Sequence, residues 1–104
     1  MRVTTNKGLS VNFNGQSIGL DHNNANNDLI FISHAHTDHL VRNPGKPVLS
    51  SELTNDLAVK RVNTEYELTR LPGAELIDSG HVLGGKSLLL EEEGESLLYT
   101  GDFS

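Results

Sequence analysis

The junction between Leu29-Ile30-Phe31-Ile32 and His34-Ala35-His36-Thr37-Asp38-His39 constrains the fold of this chain more than any other stretch. A short apolar run entered from a polar loop reads as a buried strand. Whatever follows it directly is then delivered to the end of that strand. Here three of the five histidines in 104 residues arrive within six positions, with an aspartate among them. The fold must therefore bury the strand and leave its end open for chemistry.

The rest of the chain reads mainly as strands. Arg2–Thr5, Leu9–Phe13 and Gln16–Leu20 are short runs, and Asn14-Gly15 between the last two is a hairpin signal, because a type I′ turn needs positive φ at both central residues. Asp21–Asp28, with four asparagines, is a polar loop, and Leu29–Ser33 is the buried strand. Val48–Leu49 is a further short strand after Pro44 and Pro47. One helix is expected at about Glu52–Arg61, capped by Ser50 or Ser51, with Leu53 and Leu57 on one face. Glu67–Leu71 and Glu75–Asp78 read as strands around Pro72-Gly73, and Lys86–Leu90 and Ser96–Thr100 pair around Glu93-Gly94. No repeat or linker divides the chain, which is one domain at most.

Composition narrows the chemistry. With no cysteine, a disulfide framework and a thiolate-bound metal are both excluded, and a reducing cytosol is suitable. Neither a signal-peptide core nor a membrane-length apolar stretch is present, so a cytoplasmic protein without a membrane partner is the expectation. Hydrophobic residues make up 36% and tryptophan is absent, so the core is lean. The net charge of −6 argues against a nucleic-acid partner when taken alone. Two bound divalent cations add four charges and bring −6 to −2, and Glu91-Glu92-Glu93 with Glu95 reads as a solvated turn, so charge does not decide the partner.

Side chains at i and i+2 of an extended chain point the same way, so His34 and His36 present two imidazoles to one ion. After a turn, Asp38 and His39 offer a carboxylate and an imidazole to a second ion. Such ligands suit Zn²⁺, with Mn²⁺ or Fe²⁺ as alternatives. His81 in "IDSGHVLGG" and Asp102 in "LLYTGDF" follow strands and sit beside glycines that allow close backbone approach. Taken singly, His81 reads as a loop histidine and Asp102 as a turn residue. Together with the cluster they complete it: His34, His36 and His81 form one site, Asp38 and His39 a second, and Asp102 bridges.

In this order the motifs resemble the metallo-β-lactamase fold: Asp21 in "IGLDHN", then "HAHTDH" at 34–39, then His81, then Asp102. The wording "SGHVLGG" and "YTGDF" is similar to that of the β-CASP nucleases, including mRNA 3′-end processing factors. The resemblance covers about Val3 to Ser104 and implies an α/β (α+β) fold, the first half of an αββα sandwich with a mainly antiparallel or mixed sheet and short helices. It also implies two zinc ions, hydrolysis of phosphodiesters in single-stranded RNA, and Asp38 or Asp102 accepting the proton of the attacking water. Asp21 either orients a ligand imidazole or its loop, or simply starts the loop.

The chain stops two residues after Asp102, before the family's last ligand histidine and its cap. Residues 1–104 are therefore expected to be the N-terminal half of such an enzyme, inactive alone and partnered by the missing half or a complementing chain. A DNA exonuclease or thioesterase of the same fold, and a non-catalytic metal- or partner-binding fragment, are the alternative readings. His22 reads as incidental, turned away from the cluster in an extended chain. Thr37 and Thr100 suit either hydrogen bonds to metal-bound carboxylates or plain turns. Lys86 suits a phosphate contact or, more simply, a strand edge, and Lys60, Arg61 and Arg70 read as solvated surface.

Overall fold

Residues 1–5, 8–24, 26–33, 44–78 and 86–100 are described by the structure, a computed structural model. Among these residues, eight strands and one helix follow in the order β1 (Arg2–Thr4), β2 (Leu9–Phe13), β3 (Gln16–Leu20), β4 (Leu29–Phe31), β5 (Val48–Leu49), α1 (Glu52–Val62), β6 (Ala74–Asp78), β7 (Lys86–Glu92) and β8 (Glu95–Tyr99). They form an α+β fold with two sheets, β1-β2-β3-β4-β5 and β6-β7-β8.

Two turn dipeptides set the local pairing. Asn14 and Gly15 both have positive φ, at 48° and 80°, and join β2 to β3 in antiparallel register with Phe13 opposite Gln16. Glu93 and Gly94 repeat the geometry between β7 and β8, at 47° and 85°. The first sheet then changes direction, since β3, β4 and β5 are parallel. Parallel pairing requires crossovers, and the polar 21–28 loop supplies one of them. Gly19 makes room for it: a Cβ there would lie 2.4 Å from Asn27 Oδ1 and 2.5 Å from the His22 carbonyl oxygen.

The two faces of β4 explain its unbroken apolar sequence. Leu29 and Phe31 join Val11, Phe13, Ile18, Leu20 and Leu49 against Leu88 and Leu90 of the second sheet. Ile30 faces the other way and packs, with Ile32 and Val48, on Ala58 of α1 and on Tyr66. A strand covered on both sides has no polar face to alternate with. Fully burying a side chain such as Phe31 contributes about 2–3 kcal/mol. The resulting layers are helix, sheet, sheet. The outer face of the second sheet leaves Ile77 and Leu98 exposed.

Helix α1 starts where Ser51 accepts the Thr54 amide, and it ends at Asn63, whose φ of 53° is left-handed. Ser50 does something different: its hydroxyl donates to the Ile32 carbonyl, 2.8 Å away. The buried face of the helix centres on Thr54 and Ala58 rather than on Leu53 and Leu57. The strand expected at Glu67–Leu71 is reduced to a bridge between Leu68 and Val48. Its partner β5 is only two residues long, so the ladder has nowhere to extend. Among the described residues, no helix is long and apolar enough to cross a membrane.

Candidate metal centre

The six side chains expected to bind metal, His34, His36, Asp38, His39, His81 and Asp102, lie outside the described residues, as does Thr37. The described residues that flank them are informative. Ser33 precedes the histidine cluster, Pro44 follows it, Lys86 follows the stretch with His81, and Tyr99 comes three positions before Asp102.

Asp21 gathers most of these anchors. Its φ of 58° is left-handed, a conformation that Asp tolerates better than most residues. Its amide donates to the Phe31 carbonyl at 2.8 Å, continuing the β3–β4 ladder by one step. The carboxylate turns to Ser33, with Oδ1 accepting the Ser33 amide and Oδ2 the Ser33 hydroxyl, each at 2.8 Å. Tyr99 then donates its hydroxyl to the same Oδ2, also at 2.8 Å. Bonds to a charged acceptor are the stronger kind, contributing about 1.5–3 kcal/mol each in favourable sites.

Ser33 carries the chain of contacts onward. Its carbonyl accepts the Lys86 amide at 2.6 Å, joining the first sheet to the second at this end of the molecule. On the far side of the cluster, Asn23 donates to the Pro44 carbonyl at 3.3 Å, and the Lys46 amine donates to the Asn24 carbonyl at 3.0 Å. The loop after β3 therefore holds both ends of the 34–43 stretch. The Lys86 amine pairs with Asp78, its cross-strand neighbour, in keeping with a strand-edge lysine. Lys60, Arg61 and Arg70 are exposed.

His22 differs from the sequence expectation. Its Nε2 lies 2.6 Å from the Leu9 carbonyl oxygen and 3.2 Å from Ser10 Oγ, and its ring fills the space beside Gly8. The ring is thus a packed and hydrogen-bonded side chain, not an incidental one, while the cluster it was expected to turn away from lies outside the described residues. Ser10 Oγ also accepts from the buried Asn27 amide, which reaches Ser17 Oγ at 2.9 Å. This network seats the loop that carries Asp21.

Ser33 and Tyr99 are the residues that sequence reasoning passed over. Tyr99 carried a usable signal, because an inward-facing tyrosine beside a site needs a partner for its hydroxyl. Ser33 carried none, since its bonds are set by a loop twelve positions earlier. Among the described residues, no three histidine, aspartate or glutamate side chains group as metal ligands. No family model matches the chain, and no curated protein sequence matches it.

Proposed function

We propose that this chain carries the ligand set of a dinuclear, metal-dependent phosphodiesterase of the metallo-β-lactamase fold, acting on single-stranded RNA. One observation supports this most. The three stretches that hold the candidate ligands, far apart in sequence, have their described ends tied together through Asp21 and Ser33. A helix, sheet, sheet arrangement with the polar stretches leaving one end of the sandwich is compatible with that fold.

The donor chemistry fits zinc: four imidazoles and two carboxylates, with no thiolate. In this reading His34, His36 and His81 would hold one ion and Asp38 and His39 the other, with Asp102 shared. The ions, when bound, would activate a water and stabilise charge on the phosphoryl oxygens. Asp38 or Asp102 would accept the proton that water gives up. Asp21 would take no part in bonds to the substrate; it would keep the strand end, and hence the first histidine, in one place.

Elemental analysis of the protein expressed from its gene should find about two zinc equivalents. His36→Ala should lower zinc affinity and RNA cleavage by at least about 10–100-fold, the range lost when supporting residues alone are removed. Zinc content of one equivalent or none in the wild type refutes the dinuclear reading. Turnover of a thioester at the same rate as RNA moves the chain to another hydrolase of that fold.

A further inference from the structure

We propose that Asn14 is a self-modification site, whose side-chain amide is converted in the folded protein to aspartate and isoaspartate through a cyclic imide formed with the Gly15 nitrogen. The proposal stands apart from the metal chemistry and uses the first hairpin alone. Asn14 is the only asparagine in the chain that precedes a glycine. Both residues are exposed at the tip of the β2–β3 hairpin. The ladder ends at Phe13 opposite Gln16, so neither turn residue belongs to it. The Asn14 backbone amide donates to Glu92 Oε1, and among the described residues nothing holds its side-chain amide or the Gly15 N–H. A Cβ on Gly15 would meet no atom within 4 Å, so water has access to the reacting groups.

The turn brings ring closure within one rotation. The imide ring contains the Asn14 Cα–C bond and so fixes ψ there, near the roughly −120° of the first central residue of a type II′ turn. That residue also needs positive φ, which Asn14 already has, at 48°. Types I′ and II′ are both two-residue hairpin turns, so the 14–15 peptide rotates from one to the other without unpairing β2 from β3. Glycine accepts the accompanying change of φ at position 15. The Gly15 nitrogen, its proton lost to solvent, bonds to Asn14 Cγ, and the side-chain nitrogen leaves as ammonia. Water then opens the ring: at Cγ it gives aspartate, and at the Asn14 carbonyl carbon it reroutes the backbone through Cγ as isoaspartate. The sum is amide plus water to carboxylic acid plus ammonia, with no change of oxidation state. Isoaspartate adds a carbon to the backbone, which a type I′ turn cannot absorb, and either product sets a carboxylate beside Glu92. Asn63 is the internal comparison: its φ is 53°, but β-branched Thr64 follows, and the Thr64 amide donates to the Ala58 carbonyl.

Peptide mapping of the folded wild-type protein, aged in mildly alkaline buffer made with heavy-oxygen water, tests this. The peptide spanning 9–20 should lose the Asn14 amide nitrogen and gain heavy oxygen, while Asn63 and the other asparagines keep their amides. An isoaspartyl-specific methyltransferase should label the aged protein and leave aged Asn14→Gly unlabelled, a variant whose Gly-Gly pair suits the same turn. In the separated isoaspartyl form, amide hydrogen exchange should rise across 9–20. Conversion in urea but not in the folded protein overturns the proposal, because the turn would then protect Asn14. Conversion of Asn63 at the same rate removes the part given to Gly15, and aspartate without isoaspartate removes the cyclic imide. Equal labelling of Asn14→Gly places the modified residue elsewhere, and unchanged exchange in the isoaspartyl form overturns its effect on the hairpin.

Discussion

The two ends of the sandwich are built on different principles. At one end, Asn14-Gly15 and Glu93-Gly94 close hairpins within two residues, and the backbone conformation follows from the residues that occupy the turn. At the other end β3, β4 and β8 finish and β7 begins. That end is held by side chains reaching across the sequence: Ser33 to Asp21, twelve positions apart, and Tyr99 to Asp21, 78 apart. Tight turns fix a register and leave no room for a site. At the other end Asp21 gathers the described strand ends through three hydrogen bonds to its carboxylate.

Gly19→Ala should disturb this contrast most. The added methyl would approach both Asn27 Oδ1 and the His22 carbonyl within 2.5 Å, and backbone at that distance cannot yield as a flexible side chain could. Overpacking costs about 1–3 kcal/mol, and displacing Asn27 from Ser10 and Ser17 adds to it. Urea denaturation should show a loss of about 3 kcal/mol. A change below about 1 kcal/mol would mean that the loop does not sit over Gly19.

A smaller loss is expected from His22→Ala. It removes the hydrogen bond to the Leu9 carbonyl and the ring beside Gly8, which together should cost about 1–2 kcal/mol. Zinc content should stay at the wild-type value, because the ring faces β2 and not the Asp21 carboxylate. Loss of zinc without loss of stability would place His22 in the metal centre and rule out the structural role assigned to it.

The same contrast explains what could be read from the sequence. The β2–β3 hairpin was legible because Asn14-Gly15 fixes its own geometry. Strand β4 was legible because two covered faces leave an unbroken apolar run. Glu67–Leu71 resembled a strand locally, but the two-residue length of β5 limits it to a bridge, and no pattern within 67–71 reveals the length of a partner. At the Asp21 end, residue types raised the expectation of metal chemistry on side chains outside the described residues, while the ties among the described ones stayed hidden. The bond from Tyr99 to Asp21 depends on two sheets packing face to face, and periodicity along one strand carries no trace of it. The packing role of His22 was hidden for a related reason: its partners, the Leu9 carbonyl and Ser10, lie thirteen and twelve positions earlier in the chain.

The turn end has one long-range support of its own, and perturbing it should give the smallest effect. The Met1 amine lies 3.1 Å from both Glu92 and Glu95, and the Asn14 amide donates to Glu92, so the start of β1 is tied to both hairpin turns. Glu92, and to a lesser degree Glu95, raises the pKa of the amine above 8.0. The Asn14 amide, then the Met1 amine, lowers that of Glu92 below 4.5. A raised amine pKa gives stability that is complete below about pH 8 and is lost as pH climbs through the folded value. A lowered carboxyl pKa gives stability that is complete above about pH 4.5 and is lost as pH falls through the folded value. The contribution of this pair should therefore be flat between those limits and decline outside both. Solvent reaches the groups, so the decline should be slight and should shrink further in high salt. Acetylating the Met1 amine should abolish the alkaline decline and leave the hydrogen bond from Asn14 to support the acid side. Thermal melts across pH, with and without acetylation, measure this directly. An alkaline decline that survives acetylation would have to arise elsewhere in the molecule and would remove Met1 as the link between β1 and the two hairpins.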